Sequence, residues 1–235
     1  MLTCSTIRVP KSTHVKLSRS LINQLWVIHR ISSKEKIEFA GGVDFKILDK
    51  QKKQLSFETP TCVTSKSRSS VGWQQIQTVW PELIVYHTHP KIGKKPKNGI
   101  TATLPSSEDF NAFIKLFPEM QANIICDAYG YYVIDLIDSS AEFKLPLLSA
   151  VDAAMSTFRH LEELEQCAYS GESLEYFKTT PIKWKTNVNT LLNSQLNRQF
   201  GISIRYYSYD EEPAVVRIDT CQLNWKLGKN ELKIV

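Results

Sequence analysis

The chain has 235 residues, 42% of them hydrophobic and 23% charged, with a formal net charge of +5. These values are close to globular averages, and the length suffices for one domain with an extension or for two small domains. No apolar run is long enough to cross a bilayer, and residues 1–8 lack the apolar core of a signal peptide, so the expectation is an intracellular protein, cytoplasmic or nuclear, with no membrane segment.

In chain order, residues 7–9 and 14–17 suggest an opening strand. Ser18 then stands where an N-cap belongs, ahead of a helix with Leu21, Leu25, Trp26 and Ile28 as its inward residues. Residues 39–48 and 54–63 read as antiparallel strands joined by a polar turn around 49–53. The Ser-rich and basic stretch 64–71 reads as an exposed connection, and a short helix is expected at 73–80. Leu83, Ile84, Val85 and Tyr86 follow Pro81 as a short apolar run, which predicts a buried strand. Gly and Pro make 91–100 a loop. Ser106 caps a further helix, whose Phe110, Phe113, Ile114 and Phe117 recur at helical spacing. Residues 122–126 and 131–137 flank the turn Asp127-Ala128-Tyr129-Gly130 as a hairpin. The fold class this predicts is α/β in the α+β sense: a mixed, mostly antiparallel sheet flanked by helices.

The character changes near residues 139–146. Leu148, Val151, Met155, Phe158 and Leu161 predict a helix, and Val188, Leu191, Leu192 and Leu196 another that ends at Gly201. Residues 202–207 and 214–218 alternate like edge strands. The chain therefore divides into a domain at 1–140 and a C-terminal extension at 141–235. The extension's helices either pack on the sheet or dock the chain into a protein assembly.

Chemistry is concentrated in one place. His87 and His89 lie at the end of the most strand-like run, where residues two apart point to the same face. Pro90 then ends ladder pairing. Asp109 sits in the first turn of the helix that Ser106 caps. Two imidazoles and one carboxylate form a donor set that zinc accepts, and catalytic zinc sites keep a fourth position for water. Ser106 and Asp109 also fit a variant capping box with no metal, and the two roles are compatible. His14, His29 and His160 have no ligand partners in the sequence and read as structural or surface residues. Cys4, Cys62, Cys126, Cys167 and Cys221 are a scattered set without a Cys-x-x-Cys, which reads as reduced thiols and not as a second zinc site.

The order His87-Thr88-His89-Pro90, then Ser106-Ser107-Glu108-Asp109, resembles the signature of the JAMM (MPN+) metallopeptidase family, which combines an upstream Glu, His-x-His-Pro and Ser-x-x-Asp. The resemblance spans roughly residues 10–140 and implies an MPN core. It implies Zn²⁺ held by His87, His89 and Asp109, with Ser106 beside the metal to stabilise the oxyanion. The implied general base is Glu38, in Ile37-Glu38-Phe39-Ala40-Gly41-Gly42, with Glu35 the nearby alternative. The implied reaction is cleavage of ubiquitin or a ubiquitin-like modifier from lysine. The chain departs from the family in a longer gap between His89 and Ser106, filled by the basic stretch that carries Lys91, Lys94, Lys95 and Lys97.

Two function classes follow: a zinc-dependent isopeptidase or peptidase, and a structural MPN-type subunit of a large assembly whose site is idle. The positive excess lies in the first 140 residues, in Lys50, Lys52, Lys53, Lys66, Arg68 and the 91–97 stretch. No nucleic-acid motif accompanies it, so it reads as solvated loops or as a surface for a protein partner. The four lysines separate the classes. If they read a substrate, changing all four to Ser should raise KM and weaken its salt dependence, because exposed charges act over about 8–10 Å at ordinary ionic strength. If they dock the chain, hydrolysis should be unaltered and co-purifying partners lost. Neither change would leave a plain solvated loop.

Overall fold

A computed structural model describes residues 12–49, 54–58, 62–64, 66, 82–90, 100–117, 119–136, 167–170 and 174–219. The helices expected at 73–80 and around 148–161, the loop lysines 91, 94, 95 and 97, and His160 lie outside these residues.

The structure is a mixed α/β arrangement around a six-stranded sheet. The opening strand β1 (Ser12–Lys16) leads into α1 (Arg19–Glu35), and Ser18 accepts from Leu21 N as the expected cap. The antiparallel pair β2 (Ala40–Asp49) and β3 (Gln54–Glu58) follows. Next come β4 (Ile84–Thr88), β5 (Ile100–Leu104), α2 (Ser107–Leu116) and the hairpin β6 (Ala122–Cys126) and β7 (Gly130–Leu136). A second hairpin, β8 (Cys167–Ser170) and β9 (Leu174–Thr179), precedes α3 (Pro181–Thr186). A π-helical turn, Asn187–Leu192, joins α3 to α4 (Asn193–Phe200), and β10 (Ile202–Ser208) and β11 (Val215–Asp219) complete the described chain.

The central sheet runs in the order β10-β7-β6-β4-β2-β3. Only β4 and β6 pair in parallel; every other neighbouring pair in it is antiparallel. Two smaller sheets accompany it, β1-β11 and β5-β9-β8. The strand β5 begins at Ile100, inside the stretch read as loop, and pairs with β9 from beyond residue 170. The strand β5 was not legible, because its partner β9 is distant in sequence, and the local β8–β9 hairpin was not read either.

Side-chain alternation sorts the core onto two faces. Ile84, Tyr86, Ile124, Tyr131 and Val133 point to one face and bury Leu21, Ile22 and Leu25 of α1, together with Val15, Val216 and Ile218 of the β1–β11 ribbon. Val85, Ile125, Tyr132 and Ile134 point to the other, against Phe110, Phe113 and Leu116 of α2 and Trp184, Val188, Leu192 and Leu196 of the C-terminal helices. In α1 the buried stripe is Leu21, Ile22, Leu25, His29 and Ser32. That spacing turns Trp26 outward, contrary to the sequence reading: it is 41% exposed, with the Arg30 guanidinium 4.9 Å above its ring.

The described C-terminal residues share this core. The strand β10 adds to β7 along seven residue pairs, and Trp184 is fully buried with Nε1 donating to Tyr132 Oη at 2.9 Å. The outward edge of β10 is covered by the helix beside it. Ile204 N and Tyr206 N donate to the side-chain oxygens of Asn193 (2.9 Å) and Asn189 (2.6 Å), and Asn189 Nδ2 donates back to Tyr206 O (3.0 Å). No helix among the described residues is long and apolar enough to cross a membrane.

Two outcomes are expected. Trp184→Ala should cost about 3–5 kcal/mol in denaturant unfolding. A chain ending at residue 140 should show no cooperative transition, because it lacks one whole side of the α2 core; a sharp transition would instead make 1–140 an autonomous domain.

Candidate metal centre

The site grows out of strand parity. His87 and His89 share with Val85 the face that α2 covers, and Pro90 follows at once. The ladder fixes them in depth, since His87 pairs with Ala40 of β2 and with Ile125 of β6, and His89 N donates to Cys126 O at 2.8 Å. The third donor arrives from α2 through a full capping box. Ser106 Oγ accepts from Asp109 N (3.3 Å), and Ser106 N donates to Asp109 Oδ2 (2.6 Å). Ser106 Oγ also lies 3.0 Å from that oxygen. The capping role and the ligand role thus coincide in one residue.

The three donors converge. His87 Nε2 lies 2.9 Å from Asp109 Oδ1 and 3.2 Å from His89 Nε2, and His89 Nε2 lies 3.4 Å from Asp109 Oδ2. A four-coordinate ion bonded at about 2.0–2.1 Å spaces its ligand atoms about 3.3 Å apart. The two imidazole nitrogens stand close to that spacing, each meets its own oxygen of Asp109, and the ligand atoms of all three residues lie within 4.8 Å of one another, so His87, His89 and Asp109 could hold a metal ion; the set is compatible with zinc without being exclusive to it. His89 and Asp109 are also electrostatically committed to each other. Burial disfavours charge on His89, but the hydrogen bond and charge of Asp109, helped by Glu38 and Asp127, outweigh it and raise its proton affinity. Burial likewise opposes charge on Asp109, yet His87 and His89 hold its carboxyl well below the usual range.

Glu38 lies two residues before β2, in the connection from α1. Thr88 N donates to Phe39 O (2.8 Å) and Phe39 N to Thr88 Oγ1 (3.0 Å), so the β2–β4 pairing continues past Ala40 and sets Glu38 opposite His89. Glu38 is buried and its charge acts on His89, whereas Glu35, at the end of α1, is exposed. Ser32 and Thr88 fix this connection: Thr88 Oγ1 donates to Ser32 Oγ (2.7 Å), which donates to Ile37 O (2.6 Å).

Two nearby residues had no function in the sequence reading. His29 is buried and its Nε2 donates to the carbonyl of His89 at 3.0 Å. Its signal was its place on the buried stripe of α1, where a polar side chain must find a partner. Asp127, read only as a hairpin residue, is 1% exposed. Its Oδ1 accepts from Tyr129 N (2.8 Å), Gly130 N (2.9 Å) and Tyr206 Oη (3.2 Å). Burial nevertheless pushes its pKa up to about 6, against those donors.

Comparison of the chain with models of known protein families, with curated proteins and with solved structures returns no match.

Zinc should bind one per chain, and His89→Ala or Asp109→Ala should abolish stoichiometric occupancy by elemental analysis. Because the metal must displace the proton that His89 holds with raised affinity, zinc affinity should fall as pH falls, by about tenfold per unit for one displaced proton. Affinity that is flat from pH 8 to 5.5 would place the metal elsewhere.

Proposed function

We propose that this chain is a zinc-dependent hydrolase of the JAMM type, an isopeptidase acting on ubiquitin or a ubiquitin-like modifier joined to lysine. The observation that carries the hydrolase reading is the convergence of His87, His89 and Asp109 at ligand spacing, with a separate buried carboxylate, Glu38, set across the sheet from His89. Hydrolysis needs a base, and Glu38 is a buried carboxylate near the ligand set that is not itself one of the three donors. The choice of modifier rests on the sequence resemblance alone.

In this reading His87, His89 and Asp109 hold the ion. When bound, zinc supplies Lewis acidity, lowering the pKa of water and polarising a carbonyl. The residues of the chain do the rest. Glu38 accepts the proton of the attacking water and returns it to the leaving amine, so one carboxylate serves both halves of the reaction. Its burial raises the worth of that negative charge toward its neighbours. Ser106 holds Asp109 by two contacts to Oδ2, and its role toward an oxyanion rests on the sequence resemblance. His29 anchors the backbone of His89 from α1, so the ligand strand cannot recede when substrate enters.

The second reading, an idle subunit docked through residues 141–235, draws less from the structure. The described helices of that segment turn Val188, Leu192 and Leu196 into the core, and of their residues expected to face inward only Leu191 is exposed, with Ile182 at the start of α3.

The decisive variant is Glu38→Gln. It should keep full zinc, because Glu38 is no ligand, and lose about 10²–10⁴-fold in hydrolysis of a ubiquitin-chain or isopeptide substrate. A variant with zinc and full activity would move the base; a wild-type chain with zinc and no hydrolysis of any isopeptide would favour the idle subunit.

A further inference from the structure

Resting on the metal centre just described, we infer that Asp127 is the positioning carboxylate of that centre, receiving the Nδ1–H of His89 through one buried water and so fixing the imidazole that presents Nε2 to the ion.

The placement follows from register. The strands β4 and β6 run in parallel with His87 beside Ile125 and Thr88 beside Cys126. The next step along both chains sets His89 beside Asp127, and the 2.8 Å bond from His89 N to Cys126 O pins the pairing there. Parity puts both side chains on the face that α2 covers, together with Ile125. His89 therefore stands in a row of three neighbours across the sheet, with Glu38 on its β2 flank and Asp127 on its β6 flank.

The hydrogen-bond inventory points to the same link. His89 Nε2 is engaged with His87 and Asp109, and its carbonyl with His29. Nδ1 is buried without a partner among the described residues. Asp127 has a matching surplus. Its Oδ1 holds three donors, which fixes the plane of the carboxylate, while Oδ2 is buried without a partner among the described residues. A buried donor and a buried acceptor on adjacent strands are a pair that native structures join. No direct hydrogen bond joins them, and one buried water between the two would satisfy both. Metal-bound histidines characteristically pass their other ring N–H to a carboxylate, a carbonyl or a water, and that partner fixes tautomer and ring orientation.

The cost of this arrangement explains an otherwise awkward feature. An ionised carboxylate with one oxygen unpaired is an unfavourable thing to bury, and the pKa of about 6 reflects it. A turn alone could be made by Asn, whose side-chain oxygen would accept from Tyr129 N and Gly130 N equally well. A role in the turn gives no reason for the charge; a role toward His89 does.

The test measures two properties that should move independently. Asp127→Asn in the full chain keeps the turn and removes the buried charge. Zinc titrated against a chelator of known affinity should bind this variant about 10–100-fold more weakly than wild type. Thermal unfolding of the same variant without metal, at pH 7.5, should show a midpoint no lower than wild type. Asp135→Asn serves as the control. That carboxylate is also fully buried but pairs with Arg205, so its loss should lower the midpoint and leave zinc affinity unchanged. Long-range ¹H–¹⁵N spectra of the zinc-loaded wild-type chain, which need no variant, should show a protected His89 Nδ1–H. An Asp127→Asn variant that binds zinc as tightly as wild type, an equal loss in Asp135→Asn, or a missing Nδ1–H signal would each overturn the role of Asp127 while leaving the metal centre intact. A wild-type chain that binds no zinc would instead overturn the centre itself.

Discussion

The two-residue period of β4 is the constraint on which the candidate site depends. The strand is buried on both faces, so each of its side chains is committed to one of two different cores. Ile84 and Tyr86 belong to the α1 side, and Val85 to the α2 side. A slip of one residue would send the imidazoles into the apolar contacts of α1 and bring Tyr86 to α2. The hydrophobic pattern that folds the sheet therefore also decides where the histidines point. Pairing with β2 on one flank and β6 on the other then fixes their depth, and carries Glu38 and Asp127 to either side of His89.

Above the sheet, the start of α2 has to satisfy both helix and site. Its free backbone N–H groups need acceptors, and Ser106 and Asp109 supply them reciprocally. The same bonds hold Oδ2 and orient Oδ1 toward His87. A cap of this kind contributes about 1 kcal/mol to the helix, so the geometry of the carboxylate is partly maintained by the stability of the helix itself. Below, α1 contributes through His29 and Ser32, which tie the ligand strand and the connection bearing Glu38 to a helix with its own apolar stripe. The site is thus held by three packed elements, β4, α2 and α1.

What was legible in the sequence follows a physical division. His87, His89, Ser106 and Asp109 could be read because each lies beside a local signal: a β-branched run, a Pro stop, a cap followed by phenylalanines at helical spacing. The β2–β3 pair and the β6–β7 hairpin were legible for the same reason, since their turns lie between them. The strand β5 was not, because its partner β9 is more than seventy residues away and no local rule sees such a pairing. Trp26 was misjudged because an aromatic near an apolar stripe looks inward until the helix phase is fixed by His29 and Ser32. Asp127 and His29 were passed over because their work is to serve a neighbour on another strand or helix, and a single chain of letters does not show which neighbours those are. The family likeness rests on the motif residues, and the shape of the sheet adds to it only a mixed α/β class.

The two asparagines beside β10 have a consequence for association. A strand at the margin of a sheet offers its unused N–H and C=O groups as a template on which another chain can crystallise into register. Here Asn189 and Asn193 occupy those groups with their own amides, so that the helix impersonates the missing strand. The sheet is in effect closed at that end by side chains. Growth of the protein by strand-to-strand contact at this margin would first have to displace three internal hydrogen bonds.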